Sequence, residues 1–225
     1  MSATILGVSD TVNDPAYTAA FEHTAKVFEE TIKIFDDATN PSRDGWKLKS
    51  EHKEDKCYNK RFPLGKVYHL KKEYQAPVDL VFQDHWSDVE NTVNWNPSTD
   101  YLKRLAVIGN QADVLQYALS DVAVIKGKDF IVCRMYRKTT DGYIVVASSF
   151  DTDLPPVPKK TRATANVVAG KFTGLGPQLS TIDFLASVEL NDKLIPENLL
   201  SKNIADIVIK DARAAHKHIS SKFSH

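Results

Sequence analysis

The chain has 225 residues, 42% of them hydrophobic and 26% charged, enough to bury a sizeable core as one large domain or two small ones. Lys+Arg and Asp+Glu both total 29, so the formal charge is zero and wholesale neutralisation of nucleic-acid phosphates is not implied. No stretch approaches the roughly 18 apolar residues of a membrane span. Met1-Ser2-Ala3-Thr4-Ile5-Leu6-Gly7 has neither the basic flank nor the apolar run of a signal peptide.

In chain order, Tyr17 to Asp37 reads as a helix. Its apolar residues Tyr17, Ala20, Phe21, Ala25, Phe28, Ile32 and Phe35 recur at three- and four-residue steps, and Asn40-Pro41 ends it. Trp46 opens a charged stretch, an exposed pair of strands through about Tyr58, and Gly65–Tyr74 has strand composition. Pro77 starts a helical stretch from Val78 to about Val93. Six short runs then alternate with turn signals: 101–108, 113–118, 129–138, 143–150, 162–172 and 181–190. Asp141-Gly142 marks a hairpin between two of them. The last element is a long helix from Pro196. One stripe of it carries Leu199, Leu200, Asn203, Ile204, Ile207, Val208, Asp211, Ala215 and Ile219. Glu197, Lys202, Asp206, Lys210, Arg213 and Lys217 lie on the other side. There are no repeats or linkers, so residues 1–225 read as one α+β domain. An antiparallel meander bracketed by these helices suggests a curved sheet gripping the last one. What fills the space between them, side chains or a ligand, is not decided by the pattern.

Chemistry-bearing motifs are sparse. Cys57 and Cys133 are too few for a disulfide framework or a Cys-rich zinc site, and two plain thiols fit a cytoplasmic protein. None of the histidines (His23, His52, His69, His85, His216, His218 and His225) forms a metal-binding set. No nucleophile elbow or phosphate loop is present, so neither cofactor, metal nor catalysis is expected. A hydrolase or cyclase on the same broad fold is the alternative of another class. A pure interaction module with a plugged cavity is a third.

Specific residues do decide between fillings. Gly65-Lys66-Val67-Tyr68, Trp95-Asn96-Pro97 and Lys128-Asp129-Phe130-Ile131-Val132-Cys133-Arg134 resemble successive landmarks of START lipid-transfer domains, and so do Arg162-Ala163 and Leu194-Ile195-Pro196 before the final helix. The resemblance runs in order from about Trp46 to His218 and is nearest to the cholesterol- and carotenoid-binding branch. It implies a helix-grip fold: a curved antiparallel sheet wrapped around a long C-terminal helix, with one lipid in an internal tunnel. It also implies a carrier that moves a sterol such as cholesterol through the cytosol, touching membranes transiently and working as a monomer. A carotenoid or a phospholipid is the alternative cargo.

Along 129–138, Phe130, Val132, Arg134 and Tyr136 share one face and Ile131, Cys133 and Met135 the other. In the sterol-binding branch the corresponding arginine pairs with an acid on the preceding strand, and the pair contacts the sterol hydroxyl. Counting forward from Trp95-Asn96, that acidic position falls on Tyr117, or on Leu115 after a two-residue slip. The strand's own acid, Asp113, lies four positions before Tyr117. Arg134 is therefore expected to face Tyr117 and to be satisfied by water, by a carboxylate from elsewhere or by a ligand oxygen. Asn96, Ser149 and Asn166 are expected to add polar contacts, and Leu115, Val132, Phe184, Asn203 and Ile207 to line the cavity. Burying about 400 Å² of lipid at ~25 cal/mol/Å² is worth on the order of 10 kcal/mol before association costs, against ~1 kcal/mol for one neutral hydrogen bond. Apolar walls thus decide whether a lipid binds, and polar groups bias which one. Leu119–Gly127 is expected to be a lid, with apolar Val122, Val124 and Ile125 at its tip.

Overall fold

A computed structural model describes residues 1–122, 125–192 and 195–223. Strands β1 (Ser2–Ile5) and β2 (Val8–Thr11) form a hairpin that the sequence pattern did not disclose. It turns on Leu6 and Gly7, both at positive φ (53° and 74°), the backbone that matches the twist of paired strands. The hairpin is fastened by Asp10, whose buried carboxylate accepts the N–H groups of Asn110 (3.0 Å) and Gln111 (2.8 Å). Gly109 leaves room for that carboxylate: a Cβ there would stand 2.8 Å from Asp10 Oδ2.

Helix α1 (Thr18–Thr39) follows close to its expected bounds and buries Phe21, Phe28, Ile34 and Phe35. It stops at Asn40, whose extended backbone (ψ 130°) is what a following proline imposes. Next come β3 (Lys47–His52), β4 (Asp55–Phe62) and β5 (Gly65–Tyr74). The expected helix at 78–93 is broken into α2 (Val78–Trp86), a 3-10 turn at Val89–Asn91 and α3 (Thr92–Trp95). The meander is completed by β6 (Thr99–Val107), β7 (Ala112–Leu119), β8 (Lys128–Lys138), β9 (Gly142–Ser149), β10 (Thr161–Arg162), β11 (Thr164–Gly176) and β12 (Leu179–Glu189). Helix α4 (Glu197–Phe223) ends the chain.

Apart from the first hairpin, the strands form one sheet in the order β3-β4-β5-β12-β11-β9-β8-β7-β6. Neighbours along it are antiparallel, and the short β10 pairs in parallel with β8. The Asp141-Gly142 turn joins β8 to β9 as expected. The sheet has two buried faces because strand residues alternate. On the outer face, α1 packs against Ile131, Cys133, Met135, Val146 and Leu185. On the inner face, α4 closes over Phe130, Val132, Leu115, Ala147 and Ala165. This is a helix gripped by a curved sheet. The helix sits on β3, β4 and β5, with Ser201 bonded to Asn59 (3.1 Å) and Tyr68 (2.8 Å). Its other end is tied to α2 by His218 and Lys222, which both reach Asp84 Oδ1 (2.9 and 2.8 Å). The buried side of α4 runs through Ser201, Ile204, Ala205, Ile209, Ala212, Ala215 and Ile219, so Leu199, placed on the inward stripe by periodicity, is 41% exposed instead.

Replacing Asp10 by Ala orphans two N–H groups at the 110–111 turn. The expected cost is about 1–3 kcal/mol, read from urea unfolding, with faster proteolysis of the first dozen residues.

Candidate functional site

The inner face of β7 and β8 carries Asp113, Leu115 and Tyr117 opposite Arg134, Val132 and Phe130, each pair in direct register. Arg134 therefore does not face Tyr117. The Tyr117 ring stacks on Phe130, centroids 4.9 Å apart, while Arg134 meets Asp113 with two bonds, Nε to Oδ1 at 2.8 Å and Nη2 to Oδ2 at 2.6 Å. The arginine keeps an acid on the preceding strand after all. Counting along the chain from Trp95-Asn96 gives a position in sequence, whereas the partner of Arg134 is set by the register of β7 on β8, which puts Asp113 opposite it.

Both groups of this pair are buried, so their remaining hydrogen-bonding capacity must be met locally. Arg134 also donates to the carbonyls of His85 (3.1 Å) and Trp86 (3.2 Å), and its guanidinium lies 4.2 Å from the Trp86 ring centroid. Arg104 shares the arrangement, donating to Asp113 Oδ2 (2.9 Å) and to the carbonyls of Trp86 (2.7 Å) and Ser87 (3.3 Å). Two guanidiniums thus cap the C-terminal carbonyls of α2, where the helix dipole favours positive charge. The placement holds His85 beside Phe172 and Phe184, with ring centroids 5.4 and 6.4 Å away. Burial lowers the His85 pKa, favouring the neutral ring. Replacing Asp113 by Ala leaves two adjacent guanidiniums without their anion. A loss of about 3–5 kcal/mol is expected, measured by denaturant unfolding with Asp113→Asn as the milder comparison.

Between α4 and the inner face, several side chains are half-buried. Tyr117, His85 and Asp211 keep part of their surface free, although burial is the leading influence on the protonation of each. Half-buried Leu102, Leu119, Val168, Phe184, Ile207 and Val208 adjoin the same apolar cluster.

Asp211 was read as part of the α4 stripe but not as a site residue. Its carboxylate accepts from Asn96 Nδ2 at 3.3 Å, and Asn96 is itself oriented by the Ser98 N–H on its Oδ1 (2.9 Å). Burial raises the Asp211 pKa to about 6, outweighing the bonds from Ser98 and Asn96 that favour the anion. Nearby Tyr117 is held well above the usual phenol range by burial first and by the Asp211 charge second. The one sequence signal for Asp211 was its type: an acid within an apolar helical stripe.

The other expected residues divide. Leu115 and Val132 are buried side by side, and Phe184 and Ile207 are half-covered. Ser149 lies on the inner face, where its Oγ accepts the Ala165 N–H (3.0 Å) at a bulge in β11. Asn166, the residue inserted at that bulge, is carried to the outer side, bonding Glu189 (3.2 Å) beside Gly65 and Ser187. It is not brought to the inner space, because the bulge shifts the alternation of the strand. Asn203 is buried with its side-chain N–H2 unpartnered, one and two turns before Ile207 and Asp211 on one line of the helix. In the loop after β7, Val122 and Ile125 exchange backbone hydrogen bonds of 2.9 Å, and Ile125 is buried in the inner cluster. Val124 lies outside the described residues.

The Asp211 pKa carries a signed prediction. The folded value lies above the unfolded one, so the fold binds this proton more tightly. The group's effect is most favourable below pH 3.8 and worsens as pH rises to about 6. Wild-type stability minus that of Asp211→Asn should fall over that window, by at most about 3 kcal/mol because part of the group's surface is open. Unfolding curves at a series of pH values check this.

A curved antiparallel sheet closed over an apolar cluster by a long C-terminal helix is the helix-grip fold. The START domain family matches residues 26–222, and the chain belongs to that family. Among curated proteins, it is 27% identical over 216 residues to steroidogenic acute regulatory-like protein 1 of Caenorhabditis elegans, covering 93% of this chain and 82% of that one. It is 22% identical over 190 residues to the mitochondrial steroidogenic acute regulatory protein of Homo sapiens, covering 80% of this chain and 65% of the human one. Human StAR-related lipid transfer protein 5 superimposes with a TM-score of 0.79 at 17% identity, covering 93% of this chain and all of that structure. No helix among the described residues is long and apolar enough to cross a membrane.

Proposed function

We propose that the protein encloses one hydrophobic lipid between α4 and the inner face of its sheet and carries it between membranes, with a sterol as the favoured cargo. The observation that supports this reading is a set of half-buried side chains, Tyr117, Phe184 and Ile207, packed against the apolar cluster between α4 and the sheet. Its membership of a lipid-transfer family and the names of its relatives support the same reading.

Within that space, Leu115, Val132, Phe184 and Ile207 are the apolar walls. Arg134, with Asp113 as its counter-ion, is a polar group at the α2 end. Asp113 gives Arg134 an acid on the preceding strand, the pairing that in the sterol-binding branch contacts the sterol hydroxyl, and this favours a sterol over a carotenoid. Loading requires an opening, for which the loop after β7 is the candidate, where Asp121 accepts the Gly127 N–H (2.7 Å) and pairs with Lys126. The carrier works in the cytosol as a monomer and meets membranes only while exchanging cargo. The enzyme reading lacks a site observation of comparable weight.

Lipid extracted from the purified protein and identified by mass spectrometry should include a sterol near one molecule per chain. Absence of any apolar molecule, together with failure to bind added cholesterol, carotenoid or phospholipid, would show that the protein is not a carrier.

A further inference from the structure

A carboxylate on the inward side of α4 is an expensive residue for a lipid cavity. Asp211 has Asn96 as a neutral donor but no ion-pair partner among the described residues, unlike Asp113 with its two arginines. Its backbone is fixed in the middle of a 27-residue helix, and Asn96 is locked by Ser98. The acceptor is therefore held in place before any ligand arrives. It has spare capacity, since a carboxylate accepts at several lone-pair sites, and open surface beside it. Tyr117 lies near enough to feel its charge and supplies a flat wall stacked on Phe130.

We propose that Asp211 is the acceptor for a hydroxyl group on the carried lipid, so that α4, and not only the sheet-borne Arg134–Asp113 pair, selects the cargo. The ligand class is then lipid alcohols, as opposed to their ethers, esters or parent hydrocarbons. This rests on the carrier reading above and sharpens it. A hydroxyl can donate to the carboxylate in place of lost water. An ether in the same position offers only another acceptor and leaves the charge unsatisfied. Charge-assisted hydrogen bonds of this kind discriminate by roughly 10- to 100-fold.

The test uses the full chain and two fluorescent probes, dehydroergosterol and its methyl ether, bound to wild type, Asp211→Asn and Asp211→Ala. Asn keeps the shape and an acceptor but removes the charge; Ala removes the acceptor. Wild type should favour the alcohol by roughly tenfold or more. The preference should shrink in Asp211→Asn and vanish in Asp211→Ala, with affinity for the ether unchanged or raised. A merely structural role would weaken both probes together and leave their ratio intact, and an intact ratio in both variants overturns the proposal. If wild type binds both probes equally, the proposal also fails while the carrier reading stands. If it binds neither, while remaining folded, the sterol reading fails and the proposal with it.

Discussion

Asp113 is held between two arginines at the point where α2 ends against the sheet, and much of the inner architecture follows from that contact. Its bidentate bond to Arg134 coincides with the register of β7 and β8, which in turn puts Leu115 beside Val132 and Tyr117 over Phe130. Both arginines also bind the last carbonyls of α2, so the helix cannot shift without exposing either a charge or orphaned carbonyls. Slipping the strands by one residue would send Arg134 into the outer core among Ile131, Cys133 and Met135, where no acid awaits it. The desolvation of three charged groups is offset only while all three keep this geometry.

The two faces of the sheet are finished differently. The outer face is a closed core in which α1 inserts Phe21, Phe28 and Phe35 against small and branched strand residues. The inner face meets α4 less completely, because that helix offers Ser201, Ala205, Ala212 and Ala215 where a tightly filled interface would use larger side chains. Small residues on the helix and half-covered Leu102, Val168 and Phe184 on the strands leave the interior incomplete. The same curvature thus gives a rigid back and an open front.

Most of the strand and helix order was legible because it rests on local pattern: alternation in 129–138, three- and four-residue recurrence in 17–37, and Pro196 before a long amphipathic run. The β1–β2 hairpin was not. Its strands are four residues each, and they are secured by Asp10 binding a turn a hundred positions away, a contact with no trace in local composition. Pairing failed for a related reason. The partner of Arg134 depends on the register of β7 on β8, which chain counting does not fix, and the bulge at 165–167 carried Asn166 to the outer side. Asp211 sat in plain view on the α4 stripe, but amphipathic reasoning weighs polarity by position. It has no means of separating a tolerated acid from one that faces a cavity.

Helix α4 is fastened at both ends by unlike means. Near Glu197, its hold on the sheet joins the buried, neutral bonds of Ser201 with Asn59 and Tyr68 to exposed ion pairs from Glu197 to Lys66 (2.6 Å) and Arg61 (3.4 Å). At the far end it is Asp84 with His218 and Lys222, an ionic clasp, with the Trp95 ring stacked 4.8 Å from His218. Salt screens the exposed Glu197 pairs more than the pairs made by buried Asp84. Mechanically, the end near Phe223 hangs on one buried carboxylate that serves two cations at once, so losing Asp84 would free both together, whereas the end near Ser201 keeps its neutral bonds when its ion pairs are screened.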